Sequence, residues 1–374
     1  MLSFIYNYLI INSFLLLLTY NLNKNFFKIE KEIFTLNLAY HLSITIIYVY
    51  LFNDQAADYK TYLALTNYEG FHIHSLFSSQ LITLIVAILK LKFLLNDLNI
   101  ILIFSLFSFF GIVIFIKNLQ KLGIEKKITY LLLFLPGIHF WTSVPGKDSI
   151  ILFLLSFFFY LYLDRKILIS LFFLFFVFLV RPHIGIIFIL TIAITEFIFI
   201  QQYKKKIFIF LFTTLTLTLI FSTEGVQSFL MSEIPDTSNM LILMIHKLHD
   251  FSGKYQSSST YYENLNIVFN IFNYLLFPIQ SFIKNNSLLV NFSILVELLT
   301  LIFFIFLVKK QKKSFKFDKK NFTFLTICCS IYLMLLPQIF FNYGLNVRQK
   351  WMIIPFLIYL IFLSKDLFVK LKRK

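Results

Sequence analysis

Three short clusters carry the side chains best suited to chemistry: Lys147-Asp148, Arg181-Pro182-His183 and Arg348-Gln349-Lys350. Their cations suit an anion, and the planar fork of an Arg holds two oxygens at once, which fits a diphosphate better than an ammonium does. Pro145-Gly146 predicts a turn, with Lys147, Asp148 and Ser149 opening a helix. The start of that helix offers unpaired N–H groups and the positive end of a dipole. Asp148 fits equally well as its N-terminal cap. Pro182 breaks the chain between two apolar runs, which aims Arg181 and His183 at a common surface. An Arg at membrane depth costs at least about 2.5–3.5 kcal/mol on insertion scales, so Arg181 needs a partner, either a phosphate or Asp148. Arg348 and Lys350 form the third cationic element, in the last polar turn.

Other titratable residues fall into weaker patterns. Asp54 and Asp58 are four residues apart, hence on one side if helical, and are candidates for acid or base work together with His183. His139 and Trp141 close an apolar run, with Trp141 where an interfacial belt residue belongs. Glu297 lies within an apolar run and must face protein or water, as the structural partner of a cation. His246, His249 and Asp250 have a ligand-like spacing but lack a third credible ligand, so no metal is expected. Neither a Walker nor a dinucleotide glycine pattern occurs, and no cofactor is expected.

The elements that must position these residues are membrane helices. The chain is 59% hydrophobic and 14% charged, with a mean hydropathy of +0.81. That composition excludes a soluble globular protein and predicts one all-α, polytopic membrane domain over 1–374. Its 51 Phe residues read as compositional drift without functional meaning. The net charge of +16 is assigned to lipid-facing loops, and no nucleic acid partner is expected. Adjacent Cys328 and Cys329 read as small packing residues of a helix.

Spans are expected near 2–20, 33–52, 98–116, 128–144, 148–163, 166–181, 184–201, 207–222, 288–308, 321–341 and 351–365. With these eleven, the basic clusters at Lys24–Lys31, Lys117–Lys127, Arg165-Lys166, Lys204–Lys206, Lys309–Lys320 and the C-terminal tail all fall on the cytoplasmic side. The N-terminus is then outside and the C-terminus inside. The run 2–20 lacks a basic start and a cleavage site, which predicts a retained helix. Two further apolar stretches, 76–95 and 266–283, are expected to be re-entrant or surface-lying helices at the outer interface. The alternative, that both span, still leaves 117–127 outside. Two large outer loops, 53–75 and 223–266, complete the layout, and the clusters at 147, 181 and 348 share the outer face.

The outer Asp/Tyr loop, the amphipathic half-helix, His139-Phe140-Trp141 with Gly146-Lys147-Asp148, the Arg181-Pro182-His183 turn and Asn346-Val347-Arg348-Gln349-Lys350 together resemble a known group. They are similar to the polytopic proteins of capsule, exopolysaccharide and O-antigen gene clusters. The resemblance implies a repeat-unit polymerase or related glycosyltransferase acting on undecaprenyl-diphosphate-linked sugars outside the bacterial inner membrane. It also implies polysaccharide assembly proteins as partners, and a diphosphate clamp at Lys147, Arg181 and Arg348. The chain lacks the paired-acid motif and following soluble domain of the large lipid-to-oligosaccharide glycosyltransferases. Two rival expectations stand beside it: a transporter or flippase of the same lipid-linked sugars, and a non-catalytic subunit of a synthase complex.

Overall fold

The computed structural model describes residues 2–51, 58–64, 78–199, 288–310, 318–339 and 349–362, with single positions 201, 271, 274 and 275. Among them every regular element is helical and no strand occurs. Long apolar runs with few breakers favour this outcome, because a helix satisfies its own backbone where water is absent. Among the described residues, four helices are long and apolar enough to cross a membrane: Lys31–Tyr50, Asp97–Lys121, Pro182–Phe199 and Lys319–Pro337. The chain divides into two units, the first comprising 1–185, 278–317 and 361–374, the second 186–277 and 318–360.

The first unit is built from α1 (Leu2–Leu22), α2 (Lys31–Leu51), α3 (Asp58–Ala64), α4 (Ser79–Ala87), α5 (Asp97–Lys121), α6 (Lys126–Leu132), α7 (Pro136–Thr142), α8 (Lys147–Leu163), α9 (Ile167–Val180), the first turn of α10 (Pro182–Phe199) and α11 (Leu288–Lys310). At its centre is α5, whose Phe109, Ile112 and Phe115 are fully buried. It runs alongside α8 in the same direction. The Phe107 ring meets that of Phe153, Asn118 Nδ2 donates to the Ser156 carbonyl at 2.9 Å, and Lys121 Nζ donates to Asp164 Oδ1 at 2.7 Å. Gly111 makes this close approach feasible, since a Cβ there would sit 2.8 Å from the backbone nitrogen of Phe153.

The segment 128–144, expected as one span, is two short helices. Pro136 has no N–H to continue a helix and holds Leu135 extended, so α6 ends and α7 begins afresh. The backbone groups freed by the break are taken up by side chains. The Leu133 carbonyl accepts from Asn37 Nδ2 at 2.6 Å and from His139 Nε2 at 2.5 Å. Tyr40 Oη donates to the Phe134 carbonyl at 3.4 Å, and the Gly137 N–H donates to Thr300 Oγ1 at 2.9 Å. The break is therefore a supported feature held between α2 and α11.

Within the expected half-helix 76–95, α4 widens into a π-type turn at Ile88–Lys92. Its 14 residues reach roughly 20 Å at 1.5 Å each, less than the roughly 30 Å of a hydrocarbon core. Its N-terminus meets α9 and α8, where the Ser78 N–H donates to the Leu179 carbonyl at 2.7 Å. Its other end leads directly into α5, with Lys90 Nζ 2.8 Å from Asp97 Oδ1. Both ends thus lie toward the starting end of the α5–α8 pair.

In the second unit the rest of α10 packs with α12 (Lys319–Ile339) and with the helix Gln349–Phe362, here α13. Phe188 contacts the rings of Phe324 and Phe356, and Tyr332 Oη donates to the Gln349 carbonyl at 2.7 Å. Asp318 caps α12 by accepting from the Lys320 N–H at 2.9 Å. Lys320 Nζ turns back to Glu196, 2.5 Å from Oε1. Cys328 and Cys329 are free thiols buried in this packing. The segment 207–222, the loop 223–266, nearly all of 266–283 and most of 53–75 lie outside the described residues.

Candidate functional site

Two helix junctions of the first unit build the site. Beyond the turn at Pro145-Gly146, α8 opens with Lys147, and no side chain caps its first N–H groups. Ser149 Oγ donates instead to the Gly146 carbonyl at 2.9 Å. At the second junction the Arg181 N–H closes α9 on the Val177 carbonyl at 2.8 Å. The Arg181 carbonyl then accepts from the N–H groups of Ile184 and Gly185, each at 3.1 Å, and so starts α10. Pro182 suits the first helical position because its missing N–H would have no partner there. Gly185 lets α10 fold back, since a Cβ there would lie 2.6 Å from Phe178 Cα.

The junctions meet through their side chains. Arg181 donates to Asp148 Oδ1, and the two side chains are only 7% and 14% exposed. Lys147 Nζ donates to Ser78 Oγ at 2.8 Å, and Ser78 holds a left-handed φ of 60° while its N–H binds the last turn of α9. Half-buried His183 follows Arg181 by two residues and lies within electrostatic range of both Arg181 and Lys147. Among the described residues, two cations against one carboxylate leave the patch net positive, and the uncapped start of α8 adds to it. Arg181 Nε is buried and has no acceptor among the described residues. A guanidinium fixed by Asp148, with the Lys147 ammonium on the preceding residue of α8, is suited to receive anionic oxygens.

Of the residues singled out from sequence, Lys147, Asp148, Arg181 and His183 are thus brought together. Trp141 is 6% exposed, and its indole N–H donates to Glu297 Oε1 at 2.9 Å, so Glu297 serves an indole at the α7–α11 contact. His139 is fully buried, 2.7 Å from His41 of α2. Asp58 is the first residue of α3, while Asp54, His246, His249, Asp250 and Arg348 lie outside the described residues. Lys350 is buried in the second unit, at the start of α13. Sequence reasoning passed over Ser78, His41 and Asn37. For the α2 pair a signal existed, since Asn37, His41 and Thr45 recur every four residues and so share one helix face. No protein-family model matches the chain, and no curated protein or solved structure is similar to it.

Proposed function

We propose that this chain is a polytopic protein of the bacterial inner membrane that transfers or polymerises sugars carried on a polyprenyl diphosphate at the outer face. One observation carries the proposal: Lys147 and the Arg181–Asp148 pair share a single half-buried, net positive patch at the uncapped start of α8. In the transfer the bond from the sugar's anomeric carbon to the diphosphate oxygen breaks, and its electron pair leaves with the lipid diphosphate. Lys147 and Arg181 neutralise that leaving group as its charge develops. The acceptor hydroxyl forms the new bond and gives its proton to a base, with His183, Asp54 and Asp58 as candidates.

The proposed topology has eleven crossings, two outer half-helices, an outer N-terminus and a cytoplasmic C-terminus. Its support is the separation of charge within the first unit. Lys121 and Asp164 meet at the finishing end of the α5–α8 pair, while Arg181 meets Asp148, next to Lys147, where α8 starts. A second reading, transport of the same lipid-linked sugars, is favoured by the break between α6 and α7, since discontinuous helices are a common feature of transporter binding sites.

Purified protein in lipid vesicles, given lipid-linked repeat units, separates the two. Laddered products that vanish with Arg181→Ala and partly return with Arg181→Lys support glycosyl transfer. Movement of the lipid-linked sugar across the bilayer without bond formation overturns it in favour of transport.

A further inference from the structure

The finishing end of α5 gathers lysines from three different elements around one apolar cluster. In that cluster Ile29, Phe34, Phe109 and Val113 are buried, and Phe27 and Tyr130 pack against them. Lys28 directly precedes Ile29, Lys117 follows Val113 by four residues on α5, and Lys126 precedes Tyr130 by four on α6. Residues four apart on a helix share a face, so the packing of Val113 and Tyr130 brings Lys117 and Lys126 round to the turn that carries Lys28. Polar contacts fix the same frame. Asn23 closes the turn: its Nδ2 donates to the Ile29 carbonyl and its Oδ1 accepts from the Ile29 N–H, each at 3.1 Å. Lys28 holds a left-handed φ of 50°, and its N–H donates to the Asn23 carbonyl at 2.7 Å. The Phe27 and Phe110 rings stack at 5.8 Å, and Gln120 Nε2 donates to Thr129 Oγ1 at 3.2 Å, which ties α5 to α6.

The charge of this cluster is not balanced by its neighbours. Lys117 is half-buried, and the charges that act on it are those of Lys28 and Lys126. Two carboxylates are close in the chain: Glu30, which is engaged by the Tyr130 hydroxyl, and Glu125, which precedes Lys126. Among the described residues neither forms an ion pair with any of the three lysines. Lys121, one turn beyond Lys117, gives the contrast. Its ammonium donates to Asp164 Oδ1 and lies 3.1 Å from the centre of the Tyr160 ring.

We propose that Lys28, Lys117 and Lys126 bind the phosphate of an anionic phospholipid headgroup, at the end of α8 opposite the Lys147–Arg181 patch. A phosphodiester supplies the acceptor oxygens and the negative charge that the surrounding side chains do not, and each ammonium has hydrogens to donate to it. The level in the membrane is right. The 25 residues of α5 reach roughly 37 Å at 1.5 Å each, more than the roughly 30 Å of a hydrocarbon core, so its last turn stands among headgroups. Lys28 and Lys126 are exposed and open to a headgroup, while the Lys117 stem lies along apolar neighbours. Phe26, on the turn beside Lys28, is 74% exposed. Acyl chains cover such a ring and a free phosphate does not, which favours the lipid as the source of the anion. Basic residues beside a membrane helix are held to anionic lipid by the same attraction. The site lies apart from the proposed diphosphate patch and does not depend on sugar transfer.

The test is binding of a fluorescent-tailed phosphatidylglycerol to the purified full-length protein in a neutral detergent, with phosphatidylcholine as the zwitterionic comparator and inorganic phosphate as a competitor. The expected result is preference for phosphatidylglycerol and a loss of its affinity of at least about fivefold in Lys117→Gln and in Lys28→Gln. Lys127→Gln, which removes the same charge next to the cluster, should change affinity little. Equal affinity for the two lipids, or an equal loss in Lys127→Gln and Lys117→Gln, would show diffuse surface charge and overturn the proposal. Displacement of the lipid by an equal concentration of inorganic phosphate would mark a free-phosphate site and overturn the lipid assignment. If Lys117→Gln does not fold, Lys28→Gln, at an exposed side chain, decides against the same Lys127→Gln control.

Discussion

Arg181, where α9 gives way to α10, donates to the carboxylate of Asp148 in the first turn of α8. This ion pair ties two helix junctions together, and Lys147 precedes Asp148 at the start of α8. Because both partners are mostly buried, removing one strands a charge, which typically costs about 3–5 kcal/mol. Asp148→Leu should therefore destabilise the protein by about 3 kcal/mol, and Asp148→Leu with Arg181→Leu should cost less than Asp148→Leu alone. Thermal unfolding of the single and double variants in detergent measures the coupling.

The second unit supplies a contrast between buried and exposed pairs. Glu196, 3% exposed, meets Lys320, whereas Lys121 and Asp164 in the first unit are 28% and 35% exposed. Glu196→Gln should lower stability by about 3 kcal/mol. Asp164→Asn should change it by less than about 1 kcal/mol, and that small effect should fall further in high salt. Parallel melts at two salt concentrations check both.

Glycines separate tight packing from open turns. Gly111→Ala forces a Cβ onto the α8 backbone and should cost about 1–3 kcal/mol. At Gly146 the nearest atom to an added Cβ is the Val144 oxygen at 3.9 Å, and α8 has no side-chain cap. Gly146→Ser should therefore be tolerated, or stabilise by up to about 0.5 kcal/mol, by supplying a hydroxyl at the N-cap. Thermal unfolding distinguishes the two variants.

The break at 133–135 depends on donors from α2. Asn37→Leu removes one of the two donors to the Leu133 carbonyl and should cost about 1 kcal/mol. Hydrogen exchange over residues 133–140 should accelerate in that variant, while exchange in the centre of α5 stays unchanged.

Helical class and several helix limits were legible in the sequence, because apolar length and basic clusters both bear directly on them. The turn before Lys147 and the break at Pro182 were legible for the same reason that they fold: Pro and Gly leave few alternatives there. Pro136 carried the same message within 128–144, but continuous apolar residues on both sides made one long span the simpler expectation. The joining of Lys147 and Arg181 was anticipated from their common side, and Asp148 stood among the expected partners of Arg181. Ser78 was not anticipated, since it acts from a left-handed backbone position that no sequence pattern marks. Nor was the turning inward of His139 and Trp141, which depends on His41 and Glu297, residues 98 and 156 positions away.

The proposed grip of Lys147 and Arg181 on a diphosphate is tested most directly by binding of polyprenyl diphosphate to the purified, folded protein, with polyprenyl monophosphate and polyprenol as comparators. The account predicts preference for the diphosphate and a loss of affinity of at least about tenfold, or about 1.4 kcal/mol, in Lys147→Gln and in Arg181→Lys. Equal affinity for all three lipids, or unchanged diphosphate binding in both folded variants, would contradict it.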